Sequence, residues 1–463
     1  MKIKVQYIKS MVAALFVVLT TAACQKNEFG NVDLSGYVPE EKPADGIVYN
    51  HPIALYTPED FARVKASLAD GTAPDVVKQE FQNLKNSVYT TGDYGVTVHT
   101  HQQIVRGDAK GTIEGKETYA DAMRDAAAAY QFGLLWQLTG DSQYAEKGIK
   151  ILNAWAAICE AVTSNDSNCM LAAGAQGFTF ALAAEELRDY EGWNESDFEV
   201  YKKWMVDVFA SMNYKFLMLH NNVRCGATHY WSNWDLVNLA SYFQIGILTE
   251  NDEMVQFVVS YFASTGVGNG NINKLCLANH TDPFGSGEAM MQNQESGRDQ
   301  GHATMSAAVT ANLCQAAWAL YQSNPTYKNL DFFSLNDHAV LKMSEFVAMT
   351  NLKDGTDYAN KEGAWLCPIT NIPWAAVGPW CNGGDNHEAD HVHEVFSEVA
   401  RGTLRPGWEI IYQHYKQQGI SGYKYAQQMA DKIRPEGGSG DSRYGSNSSA
   451  FDQIGWGTLM LYR

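Results

Sequence analysis

"YADAMRDAAAAYQFGLLWQLTGDSQYAEKGIKILNAWAAICEAV", residues 119–162, decides the fold class. Apolar residues recur at helical spacing on both sides of Thr139-Gly140-Asp141, and that tripeptide supplies a stop and a start in succession: a glycine to leave one helix, an Asp or Ser to open the next. The stretch predicts a helical hairpin. Working outward, the same periodicity predicts helices over about 172–188, 196–219, 233–248, 252–264, 302–321, 336–350, 394–416 and 423–433. Long alternating strand patterns are scarce, no internal repeat is exact, and no clear linker follows residue 60. The expected architecture is all-α, an (α/α) toroid of helical hairpins over 51–463 with irregular loops and a short C-terminal cap after Arg434. A right-handed solenoid of hairpins is the alternative.

At 463 residues, 45% hydrophobic and 12% aromatic, the chain can bury a sizeable core. Lys2, Lys4 and Lys9, the apolar run Met11 to Leu19 and the small residues Thr21-Ala22-Ala23 before Cys24 read as an export signal over 1–23. Cys24 in that setting resembles the lipidated cysteine of a bacterial lipoprotein, which predicts anchorage to the outer membrane through this residue, followed by a tether over 24–50. The other seven cysteines contain no CxxC, so most are expected as packed thiols, with Cys159 and Cys169 able to close a local loop. A formal charge of −18 excludes nucleic acid as the expected partner. An anionic polysaccharide remains compatible, because a few arginines can make a cleft locally positive.

Polar chemistry concentrates in three places. "HNNVRCGATHYWSNWDL" (220–236) gathers Asn221, Asn222, His229, Tyr230, Trp231 and Asn233 at a helix start, with Ser232 and Asp235 at capping spacing. "QESGRDQGHATMSAAV" (294–309) places Arg298, Gln300 and His302 at another, with Ser296 and Asp299 as the expected caps. The tail carries Arg443 and Tyr444 in a Gly/Ser loop. Amide and guanidinium donors neutralise a carboxylate and acidify the neighbouring C–H, a His or Tyr removes that proton, and indole and phenol faces stack on sugar rings. This set suits β-elimination on a uronic-acid polymer.

The stretches "THYWSNWDL", "QESGRDQGH", "TGDSQYAEKGIKILNAW", "PGWEIIYQHY" and "GWGTLMLYR" together resemble the alginate lyase superfamily of polysaccharide lyases over most of 50–463. The resemblance implies an incomplete (α/α) toroid and cofactor-free, metal-independent cleavage of alginate or glucuronan. It implies His229, Asn233 and Arg298 as carboxylate neutralisers, with Asn221 and Asn222 as rivals. His302 stands as the base where other members carry a Tyr, and Tyr444 is the acid, with Tyr230 or Tyr358 behind it. Trp231, Gln300 and Arg443 join the substrate-binding set.

Three alternatives stand beside the lyase. Residues 387–391, "HEADH", have the H-E-x-x-H spacing of a zinc hydrolase, with His393, Glu398 or Glu409 as further ligands. Asp235, Glu295 and Asp299 offer paired carboxylates for glycoside hydrolysis. A non-catalytic glycan-binding lipoprotein on the same scaffold is the third.

Overall fold

A computed structural model describes residues 46–91, 94, 97–223, 226–352, 372–380 and 391–463. The helices are α1 (Pro58–Ala69), α2 (Asp75–Lys85), α3 (Tyr119–Thr139), α4 (Ser142–Ile158), α5 (Asn168–Leu187), α6 (Glu195–Trp204), α7 (Ser211–Leu219), α8 (Ser232–Leu248), α9 (Asp252–Ser260), α10 (Ile272–Leu275), α11 (Gln300–Ser323), α12 (Leu335–Asn351), α13 (Trp408–Gln417), α14 (Lys424–Ile433) and α15 (Gly457–Leu461). The strands are β1 (Gln103–Val105), β2 (Ala161–Thr163), β3 (Cys276–Thr281), β4 (Ala289–Asn293), β5 (Val377–Trp380) and β6 (His391–His393), and they pair only as β1–β2, β3–β4 and β5–β6.

The deciding hairpin forms as expected. α3 ends on Gly140 at φ 74°, the left-handed conformation glycine adopts without a Cβ clash, and Asp141 caps α4 by accepting from Gln143 N. The segment expected over 196–219 is one rod in which Met205–Ala210 is π-helical. The helix expected over 394–416 begins only at Trp408, because Pro406 cannot donate within a helix and Gly407 sits at φ 114°.

α3, α5, α8 and α11 are buried almost all round and pack in that order, as the inner wall of a toroid requires. Close approach of α5 and α8 depends on small residues: a Cβ on Gly174 would lie 2.6 Å from Val237 Cγ2 and 2.8 Å from its carbonyl carbon. The starts of the inner helices share one end. Parallel β1 and β2 precede α3 and α5, Asn238 of α8 donates to Met170 O at 3.2 Å, and Asn233 donates to His302 O at 3.0 Å.

The opposite end is crossed by residues 48–56. Asn324 Nδ2 donates to Val48 O at 2.8 Å and Gln315 Nε2 to Leu55 O at 2.8 Å, and Ile53 to Tyr56 are fully buried. The tether expected to reach residue 50 is therefore already docked by Val48. Cys159 and Cys169 are buried free thiols rather than a disulfide, and no helix of the described residues is long and apolar enough to cross a membrane.

Candidate active site

The mouth of α11 is organised by Asp299. Its backbone is extended, with φ −168°, and one carboxylate oxygen accepts from His302 N at 2.8 Å while the other lies 2.6 Å from His302 Nδ1. One side chain therefore caps the helix and fixes the imidazole. With Nδ1–H donated to Asp299, Nε2 is the basic nitrogen, and the His302 side chain is 39% exposed, enough to meet a substrate. Burial pushes the Asp299 carboxyl up, but the bonds from His302 and the charges of His302 and Arg298 outweigh it and hold the group below its usual range. Ser296, the expected cap, is instead buried in the 3-10 turn before it. Arg298 precedes the cap and lies outside the helix that carries His302; Asp299 links them, at 3.8 Å from Arg298 Nε.

Arg298 lies over the Trp231 ring at 5.3 Å and 3.6 Å from Glu295 Oε2. Glu295 is fully buried; burial raises its pKa, against the opposing charges of Arg298 and His302. Its other oxygen accepts from Asn233 N at 3.1 Å, and Ser232 N donates to Gln294 Oε1 at 3.0 Å. These bonds lock the starts of α8 and α11 together, so Trp231, Arg298 and His302 share one face. Residues 391–399 are docked alongside: Ser397 N donates to Ser296 O at 3.1 Å, and the His393 ring lies 5.3 Å from Trp231.

The family model described as alginate lyase matches residues 73–348, which span both helix mouths. The chain belongs to the alginate lyase family. As a member it is a polysaccharide lyase. Alginate lyase A1-III from Sphingomonas species A1 has a similar fold, with TM-score 0.53 and 14% identity over 90% of this chain and 98% of that one. A histidine-to-alanine variant of alginate lyase A1-III, complexed with tetrasaccharide, matches at the same score and identity over 90% and 97%. No curated protein matches the sequence.

In this alginate lyase family chain the other expected site residues divide. His229 lies in the 3-10 turn Gly226–His229, two residues before Trp231, its ring edge-on to Tyr230 at 4.8 Å. Asn222 is exposed, and Asn221 Nδ2 donates to Tyr230 OH at 2.8 Å. Tyr230 is 3% exposed, and burial raises its pKa despite the bonds from Asn221 and Ser167.

Asn233 is buried, with its amide donor bonded to the His302 carbonyl, so it positions the α11 mouth instead of meeting a carboxylate. Gln300 is fully buried and spends its amide on Ser296 O, Ser397 O and Asn351. Tyr444 is enclosed among Met123, Ala127 and Phe451, its hydroxyl donating to the Glu436 carbonyl. Arg443 donates to Ile433 O at 3.0 Å and Glu436 O at 2.8 Å. Those four side chains are committed internally.

The carboxylates considered for hydrolysis are also occupied. Trp231, not Ser232, is the N-cap of α8 and makes no side-chain cap bond, while Asp235 binds His220 Nε2 at 2.7 Å and Gly270 N at 2.9 Å. Tyr358 and residues 387–390 lie outside the described residues. His391 opens strand β6, not the helix that H-E-x-x-H requires, and Glu409 is buried against Arg434. Among the described residues no group of three or more metal-ligating side chains forms.

Several residues at the same end carried no sequence signal. Arg405 Nε donates to Gly301 O at 3.2 Å and its Nη1 lies 3.5 Å from Asp452. Burial raises the Asp452 pKa, opposed by the charges of Arg405, Arg106 and His302, so Asp452 lies within electrostatic reach of the candidate base. Arg106 stacks on Tyr119 at 5.1 Å. His99, 46% exposed, is held through Nδ1 by buried Asp125 at 3.2 Å, a second carboxylate-oriented imidazole. The "VHTHQQIVRG" stretch (98–107) that carries His99 and Arg106 has no helical period to draw attention to it.

Proposed function

We propose that the chain cleaves polyuronates, alginate first and glucuronan second, by β-elimination on the face shared by the α8 and α11 mouths. The observation that carries this reading is the Arg298–Asp299–His302 constellation beside Trp231. The Arg298 guanidinium pairs with the C5 carboxylate of a sugar stacked near Trp231, assisted by His229, and so stabilises the charge that develops when C5 loses its proton. His302 Nε2 takes that proton, and the imidazolium is stabilised by Asp299. The C5–H electrons form the C4–C5 double bond as the C4–O bond breaks, and the leaving oxygen is protonated. With the hydroxyl of Tyr444 committed to a backbone carbonyl, the protonated His302 is the acid that this face offers among the described residues, which requires C5–H and the leaving oxygen on one side of the ring.

The test is ultraviolet absorbance of the conjugated product during incubation, in EDTA, with polymannuronate, polyguluronate and glucuronan in parallel. A rise with one polymer that is lost in His302→Ala supports the reading; silence with all three overturns it. The 1–24 pattern supports export and lipidation at Cys24, which mass analysis of the mature N-terminus from a bacterial membrane fraction would test.

A further inference from the structure

A cavity about 400 Å³ in volume opens at the opposite end of the toroid, where the last turns of α11 meet the start of α1 and the end of α13. Trp318, in its wall, lies 16 residues beyond His302, or about 24 Å along the helix axis, so the cavity is separate from the α8–α11 face. We propose that it is a binding site for a neutral mono- or disaccharide.

Three observations carry this. First, Trp318 is a fixed platform: it is partly exposed, and its ring meets His414 edge-on at 4.6 Å while His414 stacks on Phe333 at 3.7 Å. A rigid, half-exposed indole is the surface on which the C–H face of a pyranose packs, and holding it in place beforehand lowers the entropy lost on binding. Second, the rim is rich in amides. Gln322 and Gln418 are exposed at the opening, and each presents both a donor and an acceptor, matching the dual character of sugar hydroxyls.

Third, the charge is wrong for a polyuronate. Glu59 and Asp60 face the cavity, and the cations beside them, Arg463 in its wall and Arg63, are both drawn to Asp60, at 4.0 Å and 3.4 Å. His414 adds no positive charge, since burial brings its pKa down to about 3. The cations near the opening are thus already paired and offer a uronate carboxylate no partner, which an uncharged sugar does not need. The volume falls within the range of small-ligand sites. Such a site would hold the protein on a neutral stretch or side chain of a mixed glycan while the other end of the toroid works on its uronates.

The test is calorimetric titration of the whole protein with cellobiose, maltose and mannobiose, and separately with a saturated mannuronate disaccharide. The expected result is saturable binding of at least one neutral disaccharide, abolished in Trp318→Ala and weakened several-fold in Gln322→Glu, but retained in Arg298→Ala. Gln322 is exposed, so the second variant tests the site even if loss of Trp318 unsettles α11. No binding of any neutral disaccharide, or binding that survives both substitutions, overturns the proposal. Binding of the uronate disaccharide that is lost in Trp318→Ala and kept in Arg298→Ala overturns the assigned ligand class. None of these outcomes depends on lyase activity.

Discussion

Asp299 holds His302 twice, accepting from its backbone N–H at 2.8 Å and facing its ring Nδ1 at 2.6 Å. The same carboxylate thus starts α11 and selects the tautomer of the candidate base. These roles separate by mutation. Asp299→Asn keeps a good cap but loses the charge behind the imidazole; the expected loss is about 10²- to 10⁴-fold in kcat with little change in KM and a nearly unchanged melting temperature. Asp299→Ala should lose the activity and also about 1 kcal/mol of stability. Steady-state kinetics beside thermal denaturation distinguish the two.

Arg298, stacked on Trp231, should act through charge and shape together. Arg298→Lys is expected to lose about 1.5–3 kcal/mol of transition-state stabilisation, roughly 10- to 100-fold in kcat/KM, because an ammonium reproduces neither the fork nor the stacking. Arg298→Ala should lose more. On a methyl-esterified polyuronate the wild type and both variants should converge, and a persisting difference would argue against carboxylate recognition.

Tyr444→Phe tests the enclosure of that phenol. Its hydroxyl donates to the Glu436 carbonyl and its ring is buried, so activity should stay within about twofold while stability falls by about 1 kcal/mol. A collapse of kcat without destabilisation would restore Tyr444 as the proton donor.

Stability should fall as pH rises from weakly acidic to weakly basic. Glu436 is buried at the closure of the toroid, its pKa pushed up to about 7 by burial and by Glu409, against the backbone N–H groups that lower it. Glu80 bonds to the adjoining backbone, and Arg434 is paired with Glu409. A carboxyl whose folded pKa is raised contributes stability that is complete below its unfolded value and lost as pH rises through the folded one. The melting temperature should therefore decline between about pH 5 and 8, and Glu436→Gln should flatten that decline.

Gly174→Ala should destabilise by about 1–3 kcal/mol, since the added methyl meets Val237 side chain and backbone where α5 and α8 are closest. Denaturant unfolding measures it; a neutral result would show that the two inner helices can separate at no cost.

The sequence by itself determined the helices and their pairing. Apolar spacing, Gly140 and Asp141 act within a few residues, so the 119–162 hairpin, the rods expected over about 172–188 and 233–248 and the polar mouths around 229–233 and 298–302 were legible from local pattern. Some failures were local: Pro406 and Gly407 held the helix expected from 394 back to Trp408. Asp299 rather than Ser296 became the cap because its carboxylate also reaches His302, three residues on; the other failures came from long-range bonding. Gln300, Asn233 and Tyr444 look available in a linear text, yet each is buried by contact with a segment far along the chain. The tertiary structure alone decided which polar groups face solvent, and it alone brought Arg405, Asp452, Arg106 and His99 to the end that holds His302. Closing a toroid joins chain segments hundreds of residues apart, and periodicity, which records only the face a residue occupies on its own helix, carries no information about what that face will meet.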